Sequence, residues 1–215
     1  RDGSGWTFGR IQSFAMNTSK YKPLGGSSYL PTPTDLSSKK ATINVQNADN
    51  RCFGYAVLSA LFPTDNNAQR PNHYITYFDT LRFDGIDFPV KLSSISKFEK
   101  LNKDFCVTCQ HRNCNDETHL RGLAIYVFEW KKDGLSPLRI SDCNGYKIRL
   151  MLLHEANKWH YTFIKNFHHL LRQISGYHGT RFWCDKCLYV TTYEKVMKRH
   201  EEDCLGIDQS PCKVI

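Results

Sequence analysis

Apolar residues along the chain recur in short blocks separated by polar, turn-forming stretches, as in a globular domain. The longest block, Cys52–Phe62, is rich in Ala and Leu and is stopped by Pro63, which predicts a buried helix rather than a strand. Before it, Ala41–Gln46 alternates and predicts a short strand. Further helices are expected within His73–Leu81 and Ser94–Asn102.

The second half of the chain carries most of the strand signals. Its apolar blocks are joined by turn sequences such as Asp133-Gly134, because Asp-Gly supplies the positive φ that tight turns need. The predicted strands are Leu123–Trp130, Leu135–Ile140, Tyr146–Leu153 and Trp159–Phe167. Consecutive strands on short turns predict an antiparallel meander, and the helix-bearing first half predicts an α+β domain with its helices on one side of the sheet.

The chain divides into four parts by composition. An extended lead-in covers 1–40, an α+β domain 41–178, a small cysteine-bearing module 179–207 and a tail 208–215. The lead-in holds three prolines and two glycines in residues 21–33, which disfavour a helix. Its interleaved Tyr and Leu residues favour packing across the domain over a flexible linker.

Composition and charge narrow the possible environments. The chain has 215 residues and a formal net charge of +8, which permits contact with nucleic acid or an acidic partner without requiring either. No apolar run reaches the ~18 residues of a membrane helix, and no basic-then-apolar leader opens the sequence, so no membrane partner is expected. Nine cysteines, an odd number that includes closely spaced pairs, favour metal ligation in a reducing compartment, the cytosol or nucleus.

The C-terminal module has the spacing of a zinc site. Cys184 and Cys187 form a Cys-x2-Cys pair, and His200 and Cys204 are one helical turn apart, so both face the same way. Four such ligands suit tetrahedral zinc. The segment resembles a ββα finger of the Cys2His2 type with Cys in the last place. A structural or protein-docking role stays open beside DNA recognition, because one finger reads only ~3 bp.

A second group of potential ligands lies in a polar stretch, residues 103–120. It comprises Cys106, Cys109, His111, Cys114 and His119. Two interpretations stay open. A metal would pin an otherwise polar loop, or the loop carries incidental thiols and imidazoles.

A thiol, an imidazole and an amide have the spacing of a nucleophilic site. Cys52 lies at the predicted start of the buried helix, where the helix dipole favours a reachable, hyper-reactive thiolate. Gln46, six residues earlier, can donate to an oxyanion. His160 begins a predicted strand and suits a general base. The alternative is a small core cysteine and a surface histidine.

This combination resembles papain-like cysteine peptidases, which place a Gln six residues before a Cys that begins the central helix and a His at a strand start. Residues 49–53, Asp-Asn-Arg-Cys-Phe, are similar to the motif of ovarian-tumour (OTU) deubiquitinases but lack its Gly. The pair His160-Tyr161 resembles that of OTU-like and viral-tegument-like isopeptidases, in which the aromatic ring lines the substrate channel and leaves room only for Gly.

Nearly the whole of residues 5–205 also resembles modules of large invertebrate mobile-element proteins of the Polinton/Maverick type. That resemblance is carried by Gly5-Trp6, residues 23–29, Asn47–Phe53, His160–Leu171 and the finger.

Papain-like enzymes orient the His with Asn or Asp. Two candidates stay open here, Asn166 and Asp142, although Asn166 would lie roughly 20 Å along a strand from His160. Asp49 is expected to support the oxyanion loop.

The function implied by the resemblance is a cysteine isopeptidase that cleaves ubiquitin or a ubiquitin-like protein after its C-terminal Gly, with structural zinc and no catalytic cofactor. The basic face of ubiquitin would need local acidic residues, for which Asp84, Asp87 and Glu99 are the candidates. One alternative is a nucleic-acid-binding accessory domain of a transposon polymerase. The other is a polyprotein-processing protease.

Overall fold

The structure, a computed structural model, describes residues 29–112, 114–131, 134–155, 158–175 and 181–206. Its α-helices are α1 (Thr34–Ser37), α2 (Cys52–Leu61), α3 (Ile95–Leu101), α4 (Phe167–Ser175) and α5 (Glu194–Asp203). Short 3-10 helices cover Pro71–His73, Ile75–Thr80 and Leu92–Ser94. The strands are β1 (Thr42–Ile43), β2 (Leu123–Lys131), β3 (Gly134–Arg139), β4 (Tyr146–Glu155), β5 (Lys158–Ile164), β6 (Phe182–Trp183) and β7 (Val190–Thr191). The chain is therefore mixed α+β, as its sequence predicts.

Five strands form one mixed sheet in the order β1-β5-β4-β2-β3. The β2–β3 and β4–β5 pairs are antiparallel, as predicted, but β2 and β4 are parallel, with Ile125 opposite Ile148. The predicted meander is therefore wrong at this point. β3 is half-buried throughout and contains Pro137, which cannot donate to a ladder, so β3 lies at the edge. β2 is buried on both faces over its first six residues, which is typical of a central strand with a parallel neighbour.

One face of the sheet packs against α2, every residue of which is buried. Phe53 of α2 makes edge-to-face contacts with Tyr161 of β5 and Phe98 of α3, at centroid distances of 5.3 Å and 5.0 Å. Gly54 allows the Phe78 ring to approach the helix, since a Cβ at residue 54 would lie 2.5 Å from that ring. This first core fixes α2, and with it Cys52, against β5.

The opposite face of the sheet is covered as well. A second core joins Leu36 of α1 and Leu170 of α4 to the strand residues Phe128 and Met151. Helices therefore lie on both faces, and the expectation that they gather on one side is wrong. The residues of β2 alternate between the two cores, so the sheet is a layer between two apolar faces.

The lead-in packs on this second face over the part that the structure describes. Leu30 is buried, and its carbonyl accepts a hydrogen bond from the Asn44 side chain at 2.8 Å. This agrees with the predicted packing of the segment. Residues 1–28 of the lead-in, the Lys132-Asp133 turn and the tail 208–215 lie outside the described residues.

Two further properties bear on environment. Among the described helices, none is both long enough and apolar enough to cross a bilayer. The eight cysteines of the described residues are all free thiols.

Candidate functional sites

Cys52 is the first residue of α2 and lies beside β5. Burial raises the pKa of the Cys52 thiol to about 12. Hydrogen bonds from the backbone N–H groups of Tyr161, Phe53 and Cys52 itself lower the pKa, but by less than burial raises it. Only 1% of the residue is exposed. The prediction of a reachable thiolate is therefore wrong for this structure, because loss of solvent contact exceeds the effect of the helix start.

His160 lies on β5, fully buried, and its Nε2 is 2.8 Å from Oδ1 of Asn44. The orientation of the Asn44 amide is set by its Nδ2, which donates to the Leu30 carbonyl at 2.8 Å and to the Thr32 hydroxyl at 2.9 Å. Its oxygen must therefore face the ring, and His160 donates from Nε2. This tautomer carries its lone pair on Nδ1, which is the atom that can accept a proton.

Asn44 is the functional residue that sequence reasoning missed. It directly follows β1, and β1 pairs with β5 through Ile43 and Phe163. Its side chain projects to the face opposite Ile43, which is the face of His160. The available signal was a polar residue in the middle of the alternating segment 41–46.

The structure brings Cys52 next to the strand of His160 without joining the two side chains. Within the described part of the chain, no hydrogen bond connects the thiol to the ring. The cross-strand partner of His160 is Leu153, which belongs to the second core, whereas Cys52 and Tyr161 belong to the first. The two groups therefore approach one stretch of β5 from opposite faces.

Neither predicted orienting residue contacts His160. Asn166 follows the end of β5, and its Oδ1 accepts the backbone N–H of His169 at 2.8 Å, so it caps α4. Asp142 precedes β4 at the far end of the sheet. From Tyr146 to Leu153, the partner of His160, is seven residues of β4, or roughly 24 Å. The side chain that does contact the His160 ring is that of Asn44.

The remaining predicted residues near Cys52 are placed differently from expectation. Gln46 is exposed, and its backbone N–H donates to the carbonyl of Gln69 at 2.8 Å. Asp49 shapes the loop before α2, because its Oδ1 accepts the N–H of Arg51 at 3.0 Å. Tyr161 is buried, and its hydroxyl donates to the Val90 carbonyl at 3.2 Å. It is a core residue rather than a channel wall, because it points away from His160.

The three acidic residues proposed for docking do not form one surface. Asp84 and Asp87 are exposed. Glu99 is buried and paired with Arg139, at 2.6 Å, and it also accepts the backbone N–H of Ile125 at 2.7 Å. The Glu99 carboxylate therefore accepts a backbone hydrogen bond from a part of β2 that does not pair with β3. Its proposed role on a docking surface is wrong.

The C-terminal module brings its four predicted ligands together. The ligand atoms of Cys184, Cys187, His200 and Cys204 all lie within 4.8 Å of one another. Two sulfurs bound to one tetrahedral zinc lie about 3.8 Å apart. The Cys184 and Cys204 sulfurs are 3.7 Å apart. Cys184 and Cys187 lie in the turn between β6 and β7, His200 lies in α5, and Cys204 directly follows that helix. The group can therefore hold a metal ion.

Asp185, between the two cysteines of this module, attaches it to the sheet. It is buried, and its carboxylate forms salt bridges with two side chains of β4. Nε of Arg149 lies 2.6 Å from it and Nζ of Lys147 lies 2.7 Å from it. Burial alone would raise the pKa of Asp185, but these two cations outweigh it and lower the pKa. The contact was not predicted, because a charged residue in a finger turn is usually solvated.

Residues 103–120 contain a second group that can hold a metal ion. The ligand atoms of Cys106, Cys109, Cys114 and His119 lie within 4.8 Å of one another. His119 Nδ1 is 3.2 Å from the Cys109 sulfur, and its Nε2 faces the Asp116 carboxylate at 3.3 Å. A carboxylate on the second nitrogen is the usual support of a metal-bound imidazole. His111, the fifth candidate, is not in the group.

The comparisons with known proteins give no family for this chain. It matches no family model, no curated protein and no solved structure. The features that bear on function are therefore the thiol–imidazole–amide group of Cys52, His160 and Asn44, and the two metal-ligand groups.

Proposed function

We propose that the chain is a papain-like cysteine hydrolase with Cys52 as nucleophile, His160 as general base and Asn44 as the residue that orients the base. The observation that carries this proposal is the 2.8 Å contact between His160 Nε2 and Asn44 Oδ1. An amide that is held by two hydrogen bonds of its own and fixes the tautomer of a buried imidazole is the arrangement a general base requires.

The chemistry begins from a protonated thiol. Because burial raises the pKa of Cys52 to about 12, attack on a carbonyl requires a base at the moment of reaction. In this proposal the proton passes to Nδ1 of His160, which requires a rearrangement at β5, because the thiol and the ring lie on opposite faces of that strand. The N–H groups that already lower the thiol pKa, those of Tyr161 and Phe53, then stabilise the thiolate.

The substrate class that we propose is the C-terminal tail of ubiquitin or a ubiquitin-like protein. This follows from the resemblance of residues 49–53 and of His160-Tyr161 to isopeptidases. The position of Tyr161 does not argue for it, since that ring is in the core.

Both metal-ligand groups are proposed to hold structural zinc. Three sulfurs and one imidazole form a soft donor set that suits a closed tetrahedral zinc site. The Cys109–Cys114 sulfur distance of 3.6 Å is close to the edge of such a tetrahedron.

The second candidate function is a zinc-stabilised binding module in which Cys52 is only a core residue. The burial of its thiol and the pKa of about 12 favour that alternative. The formal charge of +8 would direct such a module to an acidic partner, including nucleic acid.

A ubiquitin-propargylamide probe, which traps only a nucleophilic thiol at the tail-binding site, separates the two functions. We expect the wild-type chain to form an adduct, Cys52→Ala to form none, and His160→Ala to react at least ~10²-fold more slowly. Asn44→Ala should lose about 10²-fold through misplacement of the ring. Asn44→Asp keeps the acceptor but loses the two Nδ2 hydrogen bonds that orient the side chain, so it should recover only part of the rate.

Asn166→Ala is the matched control, because Asn166 was the sequence-based candidate for the same role. It should react like wild type after correction for a modest loss of stability from the missing helix cap. The cysteine-hydrolase proposal fails if the wild-type chain forms no adduct with ubiquitin or ubiquitin-like probes, or if Cys52→Ala still does.

A further inference from the structure

The two metal-ligand groups have the same donor atoms but differ in their exposure to solvent. Each offers three cysteine sulfurs and one imidazole, and each contains two sulfurs that nearly touch, Cys109 with Cys114 at 3.6 Å and Cys184 with Cys204 at 3.7 Å. Cys184 and Cys204 are 0% and 3% exposed and belong to a small core with Met197. Cys109 and Cys114 are only half-buried. A solute can therefore reach one pair of sulfurs and not the other.

Within the second group, position defines which thiols an oxidant can join. Cys106 is fully buried, and its backbone N–H donates to the His111 carbonyl at 2.9 Å. Its sulfur accepts the backbone N–H of Cys109 at 3.3 Å, so it lies beneath the loop. Cys109 and Cys114 are the two thiols of this group that are both accessible and close together. A small movement of their side chains brings the two sulfurs to bonding distance.

We propose that Cys109 and Cys114 are a reversible oxidation site, at which peroxide joins the two sulfurs in a disulfide and the bound zinc leaves. The inference rests on the proposed zinc of the second group and does not depend on the proposed hydrolase. Zinc holds its cysteine ligands as thiolates, and accessible thiolates are the cysteines that peroxide oxidises. A reducing compartment keeps such a pair reduced until an oxidant appears.

The reaction consumes one hydrogen peroxide and two protons. The Cys109 thiolate attacks one peroxide oxygen, the O–O bond breaks, and a sulfenic acid forms as hydroxide leaves. The Cys114 thiolate then attacks the Cys109 sulfur, so that the S–S bond forms and the S–O bond breaks to release a second hydroxide. The two protons convert both hydroxides to water. Two thiolates lose two electrons in total, and zinc keeps only Cys106 and His119, which are too few ligands for a closed tetrahedral site.

The loop that carries this pair also contacts the elements around the first core. Nε2 of Gln110 donates to the Leu61 carbonyl at 3.2 Å, and Nη2 of Arg112 donates to the Thr80 carbonyl at 2.7 Å. Leu61 is the last residue of α2, and the carbonyls of a last helical turn have no partner within the helix. Oxidation should therefore loosen the end of α2, because loss of the metal frees the loop that makes both contacts.

The experiment uses the zinc-loaded full chain, and its zinc content is measured before any oxidant is added. Hydrogen peroxide is then added beside a chromophoric zinc chelator, with a peroxide-free sample as the reference for passive release. We expect one zinc per chain to be released together with formation of the Cys109–Cys114 disulfide, read by peptide mass spectrometry. The other zinc should leave at least ~10-fold more slowly, because its thiolates are buried. Dithiothreitol with added zinc should restore the initial content.

Variants assign the released zinc to its group. Cys109→Ser and Cys114→Ser should each lack the rapidly released zinc, whereas Cys184→Ser, the matched change in the other group, should still release it. Cys143→Ser removes an exposed thiol that belongs to neither group and should behave like wild type. Hydrogen exchange of residues 58–62 should rise on oxidation of wild type and return on reduction.

The outcomes separate this inference from the zinc proposal on which it rests. Peroxide that releases neither zinc, or both at one rate, overturns the oxidation site and leaves the structural zinc standing. Zinc release without a Cys109–Cys114 disulfide overturns the oxidation site as well. If Cys109→Ser and wild type contain equal zinc before oxidation, the zinc proposal for the second group fails and the inference fails with it. Unchanged hydrogen exchange after the disulfide has formed overturns the coupling to α2.

Discussion

The thiol of Cys52 should be one of the slowest in the protein to react with a small alkylating reagent. Iodoacetamide reacts with the thiolate, and burial raises the pKa of Cys52 to about 12. This reverses the sequence-based expectation that Cys52 would be labelled first. Cys143, an exposed free thiol, serves as the internal reference in the same molecule.

The size of the difference follows from the pKa. At pH 7.5 an ordinary thiol of pKa ~8.5 is about 10% thiolate, whereas a thiol of pKa about 12 is roughly 0.003% thiolate. The ratio is about 3 × 10³. Exclusion of the reagent from a residue that is 1% exposed can only increase it. Labelling of Cys52 should therefore lag behind Cys143 by at least ~10³-fold.

The pH dependence has a definite sign. Cys52 keeps its proton in the folded state up to about pH 12, whereas the unfolded chain releases it near pH 8.5–9. The unfolded state then binds fewer protons, so the free energy of unfolding falls as pH rises through this window. Over the same window the labelling rate should increase tenfold per pH unit.

Peptide-level mass spectrometry after timed iodoacetamide exposure measures both rates. Guanidinium-unfolded protein is the control, in which Cys52 and Cys143 should react alike. Comparable rates in the folded protein, within tenfold at pH 7.5, would refute the argument from burial. Slow alkylation by iodoacetamide does not contradict the proposed cysteine hydrolase. The ubiquitin-propargylamide probe gains binding energy from its ubiquitin part, and in that proposal His160 removes the thiol proton.

Three further changes test the rest of the structure. Asp185→Asn should lower the free energy of unfolding by ~2–3 kcal/mol, since it leaves Arg149 without its carboxylate, and thermal melts against Asp203→Asn measure the loss. Glu99→Gln should cost about 3 kcal/mol by the same reasoning for Arg139, and a denaturant curve that matches wild type would contradict it. Metal analysis should find two zinc ions per chain, and Cys109→Ser should remove one.

The sequence predicted those features that depend on local pattern. Helix α2 was found because ten consecutive buried positions between a turn and Pro63 admit little else. The C-terminal ligands were found because metal coordination imposes their spacing. The parallel β2–β4 pair was missed because a strand buried on both faces has no alternation to show which neighbour it takes. Asn44 and Asp185 were missed because their partners are 116 and 36 residues away in sequence.

The two metal-ligand groups lie at a distance from the proposed site. The second group belongs to the loop that contacts the far end of α2, where Nε2 of Gln110 donates to the Leu61 carbonyl at 3.2 Å. The helix has ten residues, so this contact is about 15 Å from Cys52. The C-terminal module is attached at Lys147 and Arg149, whereas His160 pairs with Leu153 further along β4.

Neither ligand group includes a member of the thiol–imidazole–amide group, so a metal bound at either one would not contact the proposed nucleophile or base. Their proposed role is to hold α2, which begins at Cys52, and β4, which pairs with the His160 strand β5. Chelation should therefore reduce activity only in step with the loss of folded protein. A chelator that abolished probe labelling while the melting curve stayed unchanged would require a metal closer to the thiol than either group allows.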